Sequence, residues 1–337
     1  MPPKLKKILK IILKIFIPLA IISGIFFGSH AITFKSPTPI IYGTTFTYEY
    51  AQYLGLDPRK TFITILDDYK FRYIRIPVPW NMIEPEEDGE YRYAEIDWMM
   101  NEAKKRDAHV ILVVGEKTPR WPECHAPDWV KKLPVGERQS RLMRAVSGVV
   151  TRYRDHGALE AWQVENEPYL KFGECLPLDE KFFKQLIDTV KYFDPQHPVM
   201  VTDSGELSLW ARSGQIGDWF GTTLYRVTWN KYLGYVDLKF IPASWYRLRL
   251  LWGKHELKNS FVIELQGEPW IQNGTIMAAT AAEKERSLSL EQFKKNIEFA
   301  EKTGFPRIYF WGTEWWVWMD QHGNRTFSSV VKELLSK

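Results

Sequence analysis

The sequence predicts an α/β protein built as one (β/α)8 barrel, and three observations carry that expectation. From residue 40 onward, short apolar runs alternate with helical patterns, the sequence mark of a parallel sheet with crossover helices. The run at residues 109–114 is almost unbroken apolar, as a strand buried on both faces requires. The length of 337 residues, 45% of them hydrophobic, accommodates one barrel of about 250 residues with loop insertions and leaves no room for a second full domain.

Taken in order, strand one falls at 40–46. Asp57 caps the first helix and Pro58 opens it, because the Asp side chain accepts a free N–H and Pro has none to lose. Strand two follows at 71–77, and an amphipathic helix at 93–106 leads into strand three. A long helix at 136–155 returns the chain to strand four at 159–164. Helix 178–192, strand five at 198–202 and strand six at 219–225 continue the rhythm. A long insertion spans 227–259 and contains residues 242–252, read as a helix against the barrel. Strand seven is 261–265. Helix 288–303 turns Phe293 and Ile297 inward, Gly304 caps it, strand eight is 307–311, and helix 326–335 closes the ring.

The N-terminus is of another kind. Lys4, Lys6, Lys7, Lys10 and Lys14 precede an apolar stretch that runs with interruptions to Phe34. Residues 1–34 therefore read as a signal-anchor, a transmembrane helix whose basic end stays in the cytoplasm and whose remainder lies outside. Ser29-His30-Ala31 resembles a cleavage site, so a removable signal with a secreted product is the alternative. Residues 35–39, with Pro37 and Pro39, form a stiff linker, and the catalytic domain occupies 40–337. Without those five lysines the formal charge of +4 becomes −1. A nearly neutral body gives no electrostatic case for nucleic acid.

Two strand ends share a grammar. Strand four runs into Glu165-Asn166-Glu167-Pro168, where Pro168 stops ladder pairing because it has no N–H to donate. Strand seven runs into Glu264, and Gly267 breaks it. In a parallel barrel both carboxylates lie on the carboxyl-terminal rim, where such folds carry their chemistry.

Here the sequence resembles clan A of the glycoside hydrolases, the retaining barrel glycosidases that include the family 5 endoglycanases. Asn166-Glu167-Pro168 matches the clan's strand-four motif, and Ile263-Glu264 its strand-seven nucleophile. Arg75 fits the strand-two arginine, residues 218–225 fit strand six, and Tyr309-Phe310-Trp311-Gly312 fits strand eight. The resemblance implies cleavage of β-glycosidic bonds of an oligo- or polysaccharide by double displacement, with Glu167 as acid/base and Glu264 as nucleophile. It also implies that Arg75 favours ionised Glu264, that Asn166 holds a sugar 2-hydroxyl, that Tyr225 bonds the nucleophile, that Trp311 lies beneath the sugar, and that His125 stands for the clan's loop histidine. Glu165 and Glu268 are the rival carboxylates, one expected deeper in strand four and one beyond the Gly267 break. Glu206 and Glu314 are expected to bind substrate hydroxyls or to be structural.

Aromatic residues in the expected rim loops, Trp80, Trp121, Trp129, Trp270, Trp315 and Trp316 with Trp311, suit a carbohydrate cleft, since sugar C–H faces pack on ring planes. Cys124 and Cys175 fall in loops after adjacent strands and are candidates for an intrachain disulfide in an oxidising compartment. No cofactor or metal is called for, because the seven His form no HxH or HExxH arrangement and no CxxC occurs. The competing function class is a catalytically silent carbohydrate-binding barrel, to which two facing carboxylates would be of little use.

Overall fold

In the computed structural model, residues 28–87, 89–175, 178–213 and 216–336 are described, with Lys14, Ile17 and Gly24. Six parallel strands open the barrel: β1 (Ile41–Thr45), β2 (Tyr73–Pro77), β3 (His109–Val114), β4 (Leu159–Val164), β5 (Val199–Asp203) and β6 (Trp219–Leu224). The chain then leaves it for an antiparallel hairpin, β7 (Val227–Asn230) and β8 (Gly234–Asp237). It returns through β9 (Ser260–Gln266) and β10 (Arg307–Trp311), and β10 pairs with β1 to close the ring. The eight expected strands are all present, β9 and β10 being the seventh and eighth. Asp57 caps helix Pro58–Asp67 by accepting from the Lys60 N–H at 3.1 Å.

Alternation sorts the strand side chains. Ile111, Ala161, Met200, Phe261, Ile263 and Tyr309 fill the barrel interior, while their neighbours Val110, Leu112, Trp162, Val262 and Ile308 pack outward under the helices. The insertion after β6 holds the expected helix, Ala243–Gly253, and also the hairpin, which the sequence reading left unassigned. Among the described residues no helix is long and apolar enough to cross a membrane. Of the expected N-terminal anchor at 1–34, only Lys14, Ile17, Gly24 and residues 28–34 are among the described residues, and the rest lies outside them.

Candidate active site

Arg75 occupies an inward position of β2 and is fully buried. Its guanidinium serves three acceptors: Nη1 donates to Glu264 Oε1 at 2.7 Å, Nη2 to Asn166 Oδ1 at 2.8 Å, and Nε to Gln163 Oε1 at 2.8 Å. The second Glu264 oxygen accepts from the Tyr225 hydroxyl at 3.0 Å. Both oxygens of Glu264 are thereby fixed by charge-assisted or hydroxyl bonds.

Glu264 reaches this position through a bulge. Thr222 pairs with Val262 but Thr223 pairs with Glu264, leaving Ile263 as an extra residue. Plain alternation would turn Glu264 outward with Val262, away from the barrel axis. The inserted residue turns it in, as bulges beside functional sites commonly re-aim a side chain.

Glu167 lies just past β4 with a left-handed backbone, φ 42°. Its N–H donates to Thr202 Oγ1 at 2.9 Å, and Lys117 Nζ clamps the turn by donating to the carbonyls of Glu167 and Leu170 at 2.9 and 3.0 Å. Burial raises the Glu167 carboxyl well above its ordinary pKa, and the negative charges of Glu123 and Glu264 add to that. Asn166 Nδ2 is buried beside this pair without a hydrogen-bond partner, a donor free for a ligand.

Glu123, from the loop after β3, is a third carboxylate in the same cavity, and sequence reasoning missed it. It is buried at φ 54°, 3.7 Å from Lys117 Nζ, and its pKa is pushed up to about 7 by burial, with Lys117 opposing and Glu264 adding to the rise. The Asn166 amide lies near enough to steady it, although neither Asn166 Nδ2 nor Glu123 Oε2 completes a hydrogen bond. A charged residue in a proline-flanked loop carries no periodic signal, so nothing local distinguished it.

The rival carboxylates have other employment. Glu165, expected within strand four, sits just beyond β4 at φ 57° and accepts the N–H groups of Glu116 and Lys117 at 3.0 and 2.6 Å. Gly115 makes room for it: at φ 135°, an added Cβ would stand 2.6 Å from the Glu165 carboxyl. Glu268 and Glu314 both pair with buried Arg120, the latter at 3.3 Å. The Arg120 guanidinium lies 3.5 Å from the Tyr50 ring centre and 4.1 Å from that of Trp311. Glu206 accepts from Thr223, the Tyr225 N–H and the Tyr246 hydroxyl, at 2.8, 2.8 and 3.1 Å.

Of the expected rim tryptophans, Trp121, Trp270 and Trp311 line the cavity. Trp80, Trp315 and Trp316 do not: each is fully buried, the last two in helix Thr313–Gln321, and Trp129 packs edge-on against Trp80. Trp315 and Trp316 are wall packing because the segment after β10 is a helix and not an open loop, and Trp80 and Trp129 lie in the short helices after β2 and β3. His125 also lines the cavity, with Nε2 3.1 Å from the Arg120 carbonyl of its own loop. Cys124 and Cys175 form the expected disulfide, tying the loop after β3 to the loop after β4.

The cavity measures about 780 Å³ and holds Glu123, Glu167, Glu264, Tyr225 and Trp311 on its walls. The family model described as β-galactosidase, family 42 of the glycoside hydrolases, matches residues 58–192, which include Arg75, Glu123, Asn166 and Glu167 but not Glu264. That match spans less than half of the chain.

Solved structures share the fold of this chain. GH5_18 from Streptomyces cattleya, in complex with GlcNAc, superposes with a TM-score of 0.58 at 11% identity, over 82% of this chain and 71% of that one. Xylanase 10B from Thermotoga petrophila RKU-1, in complex with xylobiose, gives 0.54 at 14%, over 81% and 82%. The β-galactosidase from the psychrophilic Marinomonas ef1 gives 0.56 at 13%, over 81% of this chain and 54% of that one. No curated protein matches the sequence.

Proposed function

We propose that the protein is a retaining β-glycosidase in which Glu264 is the nucleophile and Glu167 the acid/base. One observation carries this reading: of the carboxylates in a single cavity, two stand in opposite circumstances, Glu264 bonded on both oxygens by Arg75 and Tyr225, and Glu167 buried with its pKa raised. Such divergence between paired acids is how one site performs both acid and nucleophilic chemistry.

Glu264 attacks the anomeric carbon as the bond from that carbon to the leaving oxygen breaks, and Glu167 gives its proton to that oxygen. The product of this half-reaction is a glycosyl ester on Glu264. With the charge of Glu264 consumed in the ester, one cause of the raised Glu167 pKa is gone, and Glu167 takes a proton from the water that cleaves the ester. Asn166 Nδ2, unpartnered in the free protein, is suited to the sugar's 2-hydroxyl. The disulfide and the lysine-led apolar N-terminus support a catalytic domain held outside the cytoplasm, in an oxidising compartment.

The test is turnover of aryl β-glycosides and β-linked polysaccharides, with Glu264→Ala and Glu167→Ala alongside. Loss of activity in Glu264→Ala, and recovery of Glu167→Ala by azide on an activated aryl glycoside, is the expected result. Sugar binding without turnover on any substrate would instead leave a binding barrel.

A further inference from the structure

The cavity is divided. Around the carboxylates its walls are polar, with Arg120, Glu123, His125 and Tyr225. The side beyond Glu167 is not: Leu170 and Phe172 follow β4, Leu207 follows β5, and Leu233, Val236 and Leu238 come from the β7–β8 hairpin and its exit. This is the side of the leaving group, since the acid must stand next to the oxygen it protonates, and Glu167 Oε1 lies 3.5 Å from Thr223 Oγ1, at the end of the strand from which the hairpin grows.

A second sugar there would need partners for several hydroxyls and a flat ring to lie on. The leucines and valine that make up most of this wall offer neither, and the rings that share it are Phe172 and Trp229. Of the polar groups on this wall, Asn230 Oδ1 is already taken by the N–H groups of Tyr232 and Leu233, while Trp229 Nε1 is buried and unpartnered. The apolar surface also continues out of the mouth: Leu207 and Leu233 are 74% and 75% exposed although both line the cavity, and Leu209 and Tyr232 are exposed beside them. Isolated exposed apolar residues need no explanation, but a patch continuous with a binding cavity does.

The described N-terminal residues lead to the same face. The Phe34 N–H donates to the Lys302 carbonyl, at the end of the barrel where β10 begins, whereas the Ser29 carbonyl accepts from Ser244 Oγ at 2.9 Å, at the rim end of helix Ala243–Gly253. Followed toward its N-terminus, the chain climbs the barrel wall to the catalytic rim.

We infer that the substrate is an amphiphilic glycoside whose leaving group is a long-chain apolar alcohol lying along the hairpin wall. This rests on the glycosidase reading above. The bond broken joins the anomeric carbon to the alcohol oxygen, Glu167 protonates that oxygen, and water supplies the hydroxyl of the released sugar.

The test uses the full chain in phospholipid nanodiscs, a glycosyl fluoride of the sugar it prefers, and the β-alkyl glycosides of that sugar from methyl to dodecyl. The expected kcat/KM rises about two- to fourfold per methylene, and Leu207→Asp and Leu233→Asp flatten that rise relative to the wild type. Partitioning of the alkyl chains into the disc is common to all variants, so a rise that survives both substitutions overturns the inference. So does a flat series with preference for an oligosaccharide, an outcome in which fluoride turnover keeps the glycosidase reading standing. Failure to turn over the fluoride or any glycoside removes both.

Discussion

Arg75 Nη1 lies 2.7 Å from Glu264 Oε1 with both side chains almost wholly sealed from water. A buried pair of this kind is weak evidence for stability, but breaking it from one side is costly because the remaining charge is stranded. Arg75→Met is therefore expected to destabilise the protein by about 3–5 kcal/mol and to abolish measurable kcat. Arg75→Met combined with Glu264→Leu removes both charges and should recover much of the stability with none of the activity. Chemical unfolding of the three proteins measures the difference.

Glu123 gives the site a pH signature. On the proposed mechanism activity needs protonated Glu167, so it is expected below the raised pKa of that group and lost as pH rises through it. Glu123→Gln deletes one of the negative charges that raise it, and the alkaline limb of kcat/KM should move to lower pH. Stability should move in the opposite sense. Because the folded-state pKa of Glu123 is raised to about 7, its favourable contribution is full below the unfolded value and is lost as pH climbs to about 7. The variant escapes that loss, and its advantage over the wild type should open across this window and persist at pH 8.

Glu165 and Glu167 are separated by one residue and by function. Glu165→Gln places an NH2 group against one of two backbone donors, and should lower stability by about 1–3 kcal/mol while retaining most of kcat. Glu167→Gln should keep its stability and lose about 10²–10⁴-fold in kcat, more on substrates with poor leaving groups than on activated ones. Thermal unfolding with parallel kinetics separates the two.

The disulfide joins residues 51 apart in sequence, so its loss releases a long loop in the unfolded chain. Cys124→Ser with Cys175→Ser is expected to cost about 2–4 kcal/mol. Because Cys124 adjoins Glu123, the double variant should also show a blunted alkaline limb, read from its pH profile.

The barrel was legible because two-sided burial writes continuous apolar runs, and β3 and β4 were bounded to the residue. The Arg75, Asn166, Glu167 and Glu264 grouping was legible because its members match the clan A motifs in chain order. What escaped depends on geometry that spacing does not express. The bulge at Ile263 changes which face Glu264 meets without changing residue type. Glu123 and Lys117 act through a loop fold fixed by Gly115 and Glu165. The hairpin could have been found, since Val227–Asn230 and Gly234–Asp237 flank a short loop, but only residues 242–252 of the insertion were assigned.

The left-handed conformations of Arg120, Glu123, Glu165 and Glu167 carry a consequence for evolution of the domain. Each holds a side chain in a backbone region where glycine is at ease and other residues are strained by about 1 kcal/mol or more. Glu167→Gly relieves that strain and empties a buried acid from the rim, so the dead protein should melt at a higher temperature than the living one, and higher than Glu167→Ala. Selection for thermal endurance alone would favour loss of the acid at Glu167, so on the proposed mechanism catalysis there is held against a cost to folding.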